Sequence, residues 1–67
     1  MIEVNGREME WHPGLTFREI YSFLGYTIPS PLVVVRVNGT LVKKADREGY
    51  EIPDEAVITV LNALRGG

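Results

Sequence analysis

The chain has 67 residues, which is room for one domain and not two, since independently folding units seldom fall below about 50 residues. A chain this short buries only about 60% of the surface its unfolded form exposes, so a large enclosed catalytic cavity would consume its core, and function is expected at the surface. The absence of cysteine excludes disulfides, thiolate zinc sites and a cysteine nucleophile, while seven basic against nine acidic side chains give a net charge of -2, the wrong sign for general binding to nucleic acid.

Met1 to Val4 and Arg7 to Trp11 alternate weakly around Asn5-Gly6. Asn-Gly suits a two-residue type I′ turn, which needs positive φ at both central positions, so two antiparallel strands are predicted, with Met9 and Trp11 on one side. His12-Pro13-Gly14 ends the run. Thr16 and Glu19 then have the spacing of a capping box, which predicts a helix beginning at Phe17. Leu15 and Ile20 are placed for a hydrophobic staple, and Phe17, Ile20, Tyr21 and Leu24 form one apolar stripe that requires a flat surface to pack on. Gly25 suits the left-handed residue closing the helix, and Pro29 and Pro31 mark a connection.

Leu32 to Val37 is β-branched and reads as a strand, folded back by Asn38-Gly39 into Thr40 to Lys43. With a two-residue turn Val37 faces Thr40 and Arg36 faces Leu41. That register sends Val33, Val35, Val37 and Val42 inward and Leu32, Val34, Arg36 and Leu41 outward. Lys44 to Gly49 is polar and is expected to be a loop, Tyr50 to Ile52 a very short strand or turn, and Pro53-Asp54-Glu55 a further turn. Ala56 to Leu61 is the last strand, with Ile58 and Val60 inward and Thr59 and Leu61 outward. The order of hairpin, helix, hairpin, short element and strand implies an α+β chain of the β-grasp type: a mixed sheet of four to five strands packed on one helix. One helix covers one sheet face, which leaves the other as a docking surface. Residues 1–62 form this domain and 63–67 a flexible tail.

Familiar catalytic constellations do not assemble. His12 is the sole histidine and reads as a solvated loop residue, with no spacing that brings Ser22 or Ser30 to it. Thr16 and Glu19 are accounted for by capping. Asp46, Glu48, Glu51, Asp54 and Glu55 lack the alternation and central glycine of a calcium loop and read as a solvated acidic edge, so no metal or cofactor of its own is expected. Trp11, Tyr21, Tyr26 and Tyr50 read as core and rim packing, and Lys43 and Lys44 as solubilising charges beside an edge. No apolar run nears the roughly 20 residues that span a bilayer, and no charged leader precedes an apolar stretch, so a cytoplasmic protein, with no membrane and no direct nucleic acid among its partners, is expected.

The ending Leu64-Arg65-Gly66-Gly67 is different, because two residues without Cβ at a chain end have no turn to make. A slim leader suits a carboxylate that must enter another protein's nucleotide site; fully extended, these four residues reach roughly 13 to 14 Å. Joined to the β-grasp order, the two Asn-Gly hairpins and the acidic turn before the last strand, this ending resembles ubiquitin and, more closely, the ThiS/MoaD group of ubiquitin-like sulfur carriers. The resemblance implies a protein substrate and carrier rather than an enzyme. An activating enzyme of the ThiF/MoeB type would use ATP and Mg2+ to adenylate the Gly67 carboxylate, and a persulfide enzyme would then convert it to a thiocarboxylate. A downstream acceptor enzyme would take the sulfur for thiamin, molybdopterin or tRNA. By the same resemblance Gly66 permits close approach, Arg65 steers the tail and Leu64 anchors it, while Val34, Arg36, Leu41, Thr59 and Leu61 dock the partner, the free protein being a monomer. Ala63 stands where ubiquitin has an arginine, which points away from a ubiquitin-specific activating enzyme. The alternatives are a protein modifier joined to lysines by isopeptide bonds and a passive β-grasp binding module.

Overall fold

The structure, a computed structural model, describes residues 1–26 and 33–62. The expectations for Leu32, for the connection around Pro29 and Pro31 and for the tail at 63–67 lie outside those residues. In chain order the elements are β1 (Ile2–Val4), β2 (Arg7–Met9), α1 (Phe17–Phe23), β3 (Val33–Val37), β4 (Thr40–Val42), α2 (Lys44–Arg47) and β5 (Val57–Asn62). The five strands make one mixed sheet in the order β2-β1-β5-β3-β4. The last strand therefore lies at the centre, parallel to β1 and antiparallel to β3. This is the β-grasp arrangement.

Both Asn-Gly turns form as predicted. Asn5 and Gly6 have φ of 50° and 81°, and Asn38 and Gly39 have 52° and 83°. Their registers pair Val4 with Arg7 and Val37 with Thr40, so the inward and outward assignments for β3 and β4 hold. Helix α1 begins at Phe17 with both halves of the capping box made: the Glu19 N–H donates to the Thr16 hydroxyl, and the Thr16 N–H donates to the Glu19 carboxylate. It ends as Gly25 foretells, at φ 90°. The Tyr26 N–H reaches back to the Tyr21 carbonyl and the Gly25 N–H to that of Ser22, which is the Schellman pattern. The Tyr21 and Tyr26 rings meet edge to face across that closure, with centroids 6.2 Å apart.

One face of the sheet and the apolar stripe of α1 enclose the core. Ile2, Val4, Ile20, Val35, Ile58 and Val60 are buried there with Leu15, Phe17 and Tyr21. Two segments differ from expectation. Residues 44–47 form a short helix rather than loop, and its reason is Arg47, whose guanidinium donates to the carbonyls of Val42 at 3.2 Å and Val33 at 2.9 Å. Reaching both from one side chain requires the chain after β4 to curl back by a turn of helix. Tyr50 to Ile52 forms no strand; Ile52 is buried, and its carbonyl accepts the Trp11 indole N–H at 2.8 Å.

Candidate functional site: the uncovered face of the sheet

Alternation along the strands fixes what the face away from α1 presents. Because paired residues share a face, Arg36 sits beside Leu41 on one flank and Thr59 on the other, and Val34 sits beside Leu61. Val34 and Thr59 are half-buried, while Arg36, Leu41 and Leu61 are exposed. The structure thus brings together all five residues expected to form a docking surface. It adds Val57, which the sequence reading passed over although the alternation that sends Ile58 inward requires it to face out. Leu41 at 53%, Val57 at 48% and Leu61 at 51% are three of the four large hydrophobic side chains exposed among the described residues, and all three lie on this face. Exposed apolar residues scattered singly need no explanation, but their concentration on one sheet face makes that face the candidate interaction surface.

This surface borders the place where the chain leaves the sheet. Val34 pairs with Leu61, and the next pair along the same ladder is Val33 with Asn62, the last residue of β5. A partner seated on Val34 and Leu61 therefore meets the chain where residues 63–67 begin. β5 is central, flanked by β1 and β3, and is paired with β3 up to that point. On the β1 side, the Asn5 side chain closes a ring with Val60, accepting its N–H at 2.8 Å and donating to its carbonyl at 3.0 Å. On the β3 side, Asn38 Oδ1 accepts the Val57 N–H at 2.8 Å. The two asparagines read in the sequence as turn formers also clamp β5 from both flanks, a role that turn chemistry alone does not announce.

The remaining polar groups offer no catalytic arrangement among the described residues. His12 is exposed, and its Nε2 lies 2.8 Å from a Glu19 oxygen. That contact raises the histidine pKa above its ordinary value, and the same contact, followed by the Thr16 N–H, lowers that of Glu19. The pair braces the helix start. Among the described residues no group of three or more His, Asp or Glu is placed to hold a metal ion, and no helix is long and apolar enough to cross a membrane.

The molecule is thus a small β-grasp domain whose sheet leaves one face uncovered, with three exposed apolar side chains on it, beside the end of β5. Residues 2–67 match the ThiS family, and the chain belongs to that family. Comparison with curated proteins and with solved structures finds no match in either. Members of the ThiS family are small ubiquitin-like sulfur carriers rather than enzymes, working with an activating enzyme and sulfur-transfer partners.

Proposed function

We propose that this carrier holds sulfur as a thiocarboxylate on Gly67, made after a ThiF/MoeB-type enzyme adenylates the carboxylate of that residue. A carboxylate oxygen attacks the α-phosphorus of ATP and pyrophosphate leaves. The terminal sulfur of an enzyme persulfide then attacks the acyl carbon, AMP departs, and reduction of the sulfur–sulfur bond by a thiol releases the thiocarboxylate. ATP and Mg2+ belong to the partner, which must supply the cations that stabilise the phosphates, since this chain carries a net charge of -2. This chain contributes the reacting carboxylate, the slender Gly66 beside it, Arg65 and Leu64 as steering and anchoring residues, and the apolar face for docking. A downstream enzyme takes the sulfur for thiamin, molybdopterin or tRNA, in the cytoplasm.

The observation that carries this reading is the family match running through residue 67 on a domain whose exposed Leu41, Val57 and Leu61 share one face. The test incubates the full chain with its host's activating enzyme, ATP, Mg2+ and labelled pyrophosphate. Exchange of label into ATP is expected with the native chain and is abolished by deleting Gly66 and Gly67, a change that leaves the thermal transition in place. With a persulfide donor present, intact mass then shows one oxygen replaced by sulfur. Exchange that persists in the deletion variant overturns the proposal, and Gly-Gly remnants on host lysines without any thiocarboxylate identify a modifier instead.

A further inference from the structure

A concavity lies where α1 meets the segment that follows β4, on the side of the sheet that α1 covers. It is an open groove of about 610 Å³. Aromatic side chains form its floor: Phe17 and Tyr21 stack with centroids 6.4 Å apart, and Tyr50 tilts against Phe17 at 5.5 Å. Its rim is cationic. Arg18, Lys44 and Arg47 border it, three of the chain's seven basic residues, against Glu48 alone of nine acidic ones. On a molecule of net charge -2 this segregation runs against the overall sign, so the local field attracts what the rest of the surface repels.

The cations differ in how they are held. Arg47 is fixed by its two carbonyl partners, so it loses little further freedom on binding. Arg18 and Lys44 are exposed, and neither meets a carboxylate among the described residues. Their charges are available to an incoming group. A chain laid along the groove continues its contacts beyond the rim, and the cationic rim favours an anionic one. The aromatic floor suits one apolar side chain and the rim suits carboxylates on either side of it.

We propose that this groove binds an acidic peptide segment of a partner protein, seated by an apolar side chain over Phe17, Tyr21 and Tyr50 and flanked by carboxylates that meet Arg18 and Lys44. The sheet separates this site from the face bearing Leu41 and Leu61, so both can be occupied at once. The carrier would then be held by one partner while presenting its tail to another. This inference is independent of the chemistry proposed for Gly67.

The test titrates a capped six-residue peptide of four acidic residues around a central leucine–phenylalanine pair into 15N-labelled full-length chain, following amide shifts. Saturable shifts are expected at Phe17, Arg18, Lys44, Gly49 and Tyr50, with the amides of β5 unmoved. Raising NaCl tenfold should weaken binding at least fivefold, and the doubly substituted R18E/K44E chain should lose at least tenfold in affinity with an unchanged amide spectrum elsewhere. Replacing the central pair by glycines should abolish binding. The proposal is overturned if millimolar peptide moves none of these amides, if a lysine-substituted peptide binds as well, or if inorganic phosphate alone produces the same shifts at lower concentration.

Discussion

The two faces of the sheet differ in cover and in composition: one buries only apolar side chains beneath α1, while the other exposes Leu41, Val57 and Leu61 among polar residues such as Arg36 and Thr59. Along β5, Ile58 and Val60 are buried while Val57 and Leu61 stand about half exposed, and along β3 Val35 is buried while its neighbour Arg36 is exposed. Strand alternation treats the faces equally; what separates them is α1, which covers one and not the other. Burial of Ile58 therefore counts toward folding, whereas the apolar area of Leu61 remains in contact with solvent. In a domain of this size, whose single core rarely supplies more than about 3 to 5 kcal/mol of net stability, the distinction is severe.

The largest effect should come from breaking the covered face. Ile58→Ala in the central strand should cost about 2 to 5 kcal/mol, enough to unfold most of the population, as measured by urea denaturation. Leu61→Ala, three residues further along the same strand, should change stability by no more than about 0.5 kcal/mol while slowing activation by the host's activating enzyme at least several-fold. Equal destabilisation by the two variants would show that the faces are not distinct. Activation unaffected by Leu61→Ala together with Leu41→Ala would remove the uncovered face from partner docking.

A smaller effect tests how the boundary between the faces is held. Asn5→Gly preserves the positive φ of the turn but removes both hydrogen bonds to Val60, so it isolates the clamp on β5 from the turn itself. The expected loss is about 1 to 2 kcal/mol, with faster hydrogen exchange at Val60 than at Val57. Asn38→Gly removes one bond instead of two and should cost less. If Asn5→Gly is neutral, the β1–β5 ladder is sufficient on its own and the side-chain ring is redundant.

What could be read in the chain beforehand was whatever local chemistry decides. Asn-Gly pairs demand positive φ, Thr16 and Glu19 stand three apart before an apolar stripe, and the alternation from Val33 to Val37 and from Ile58 to Leu61 sorts the faces without reference to anything distant. The curl at 44–47 was hidden because it depends on where the Val33 and Val42 carbonyls end up, 14 and 5 residues from Arg47, and a polar run looks the same with or without them. The clamps on β5 were hidden for the same reason, since Asn5 and Val60 are 55 residues apart. Five outward residues of the uncovered face followed from periodicity, but the groove between α1 and α2 did not, because its floor and rim come from segments that meet only after folding.

The cover itself can be loosened. Thr16→Ala removes the hydroxyl that accepts the Glu19 N–H and should cost about 1 kcal/mol, read as a lower midpoint in urea with unchanged slope. Since the loss falls on α1, exchange should rise at Ile20 and Tyr21 before it rises at Leu61. An equal rise on both faces would mean that the helix and sheet open as one unit.

The weakest handle on the cover is its pH dependence, and its sign is fixed by the two shifts at the helix start. Glu19 is held below its ordinary pKa by His12 and the Thr16 N–H, so its contribution is present above the unfolded value of about 4.3 and is lost as pH falls through the lower folded value. His12 is held above its ordinary pKa by Glu19, so its contribution is complete below about 6.5 and is lost as pH rises through the higher folded value. The ion pair therefore acts between those limits, and both groups are exposed enough for salt to screen it. His12→Ala should lower the melting temperature slightly near pH 5.5, with the difference from the native chain shrinking toward pH 8.5 and in high salt. A difference constant across that range would mean that His12 acts through its hydrogen bond to the Pro13 carbonyl and its packing rather than through charge, leaving Glu19 to hold the helix start with the Thr16 amide and hydroxyl.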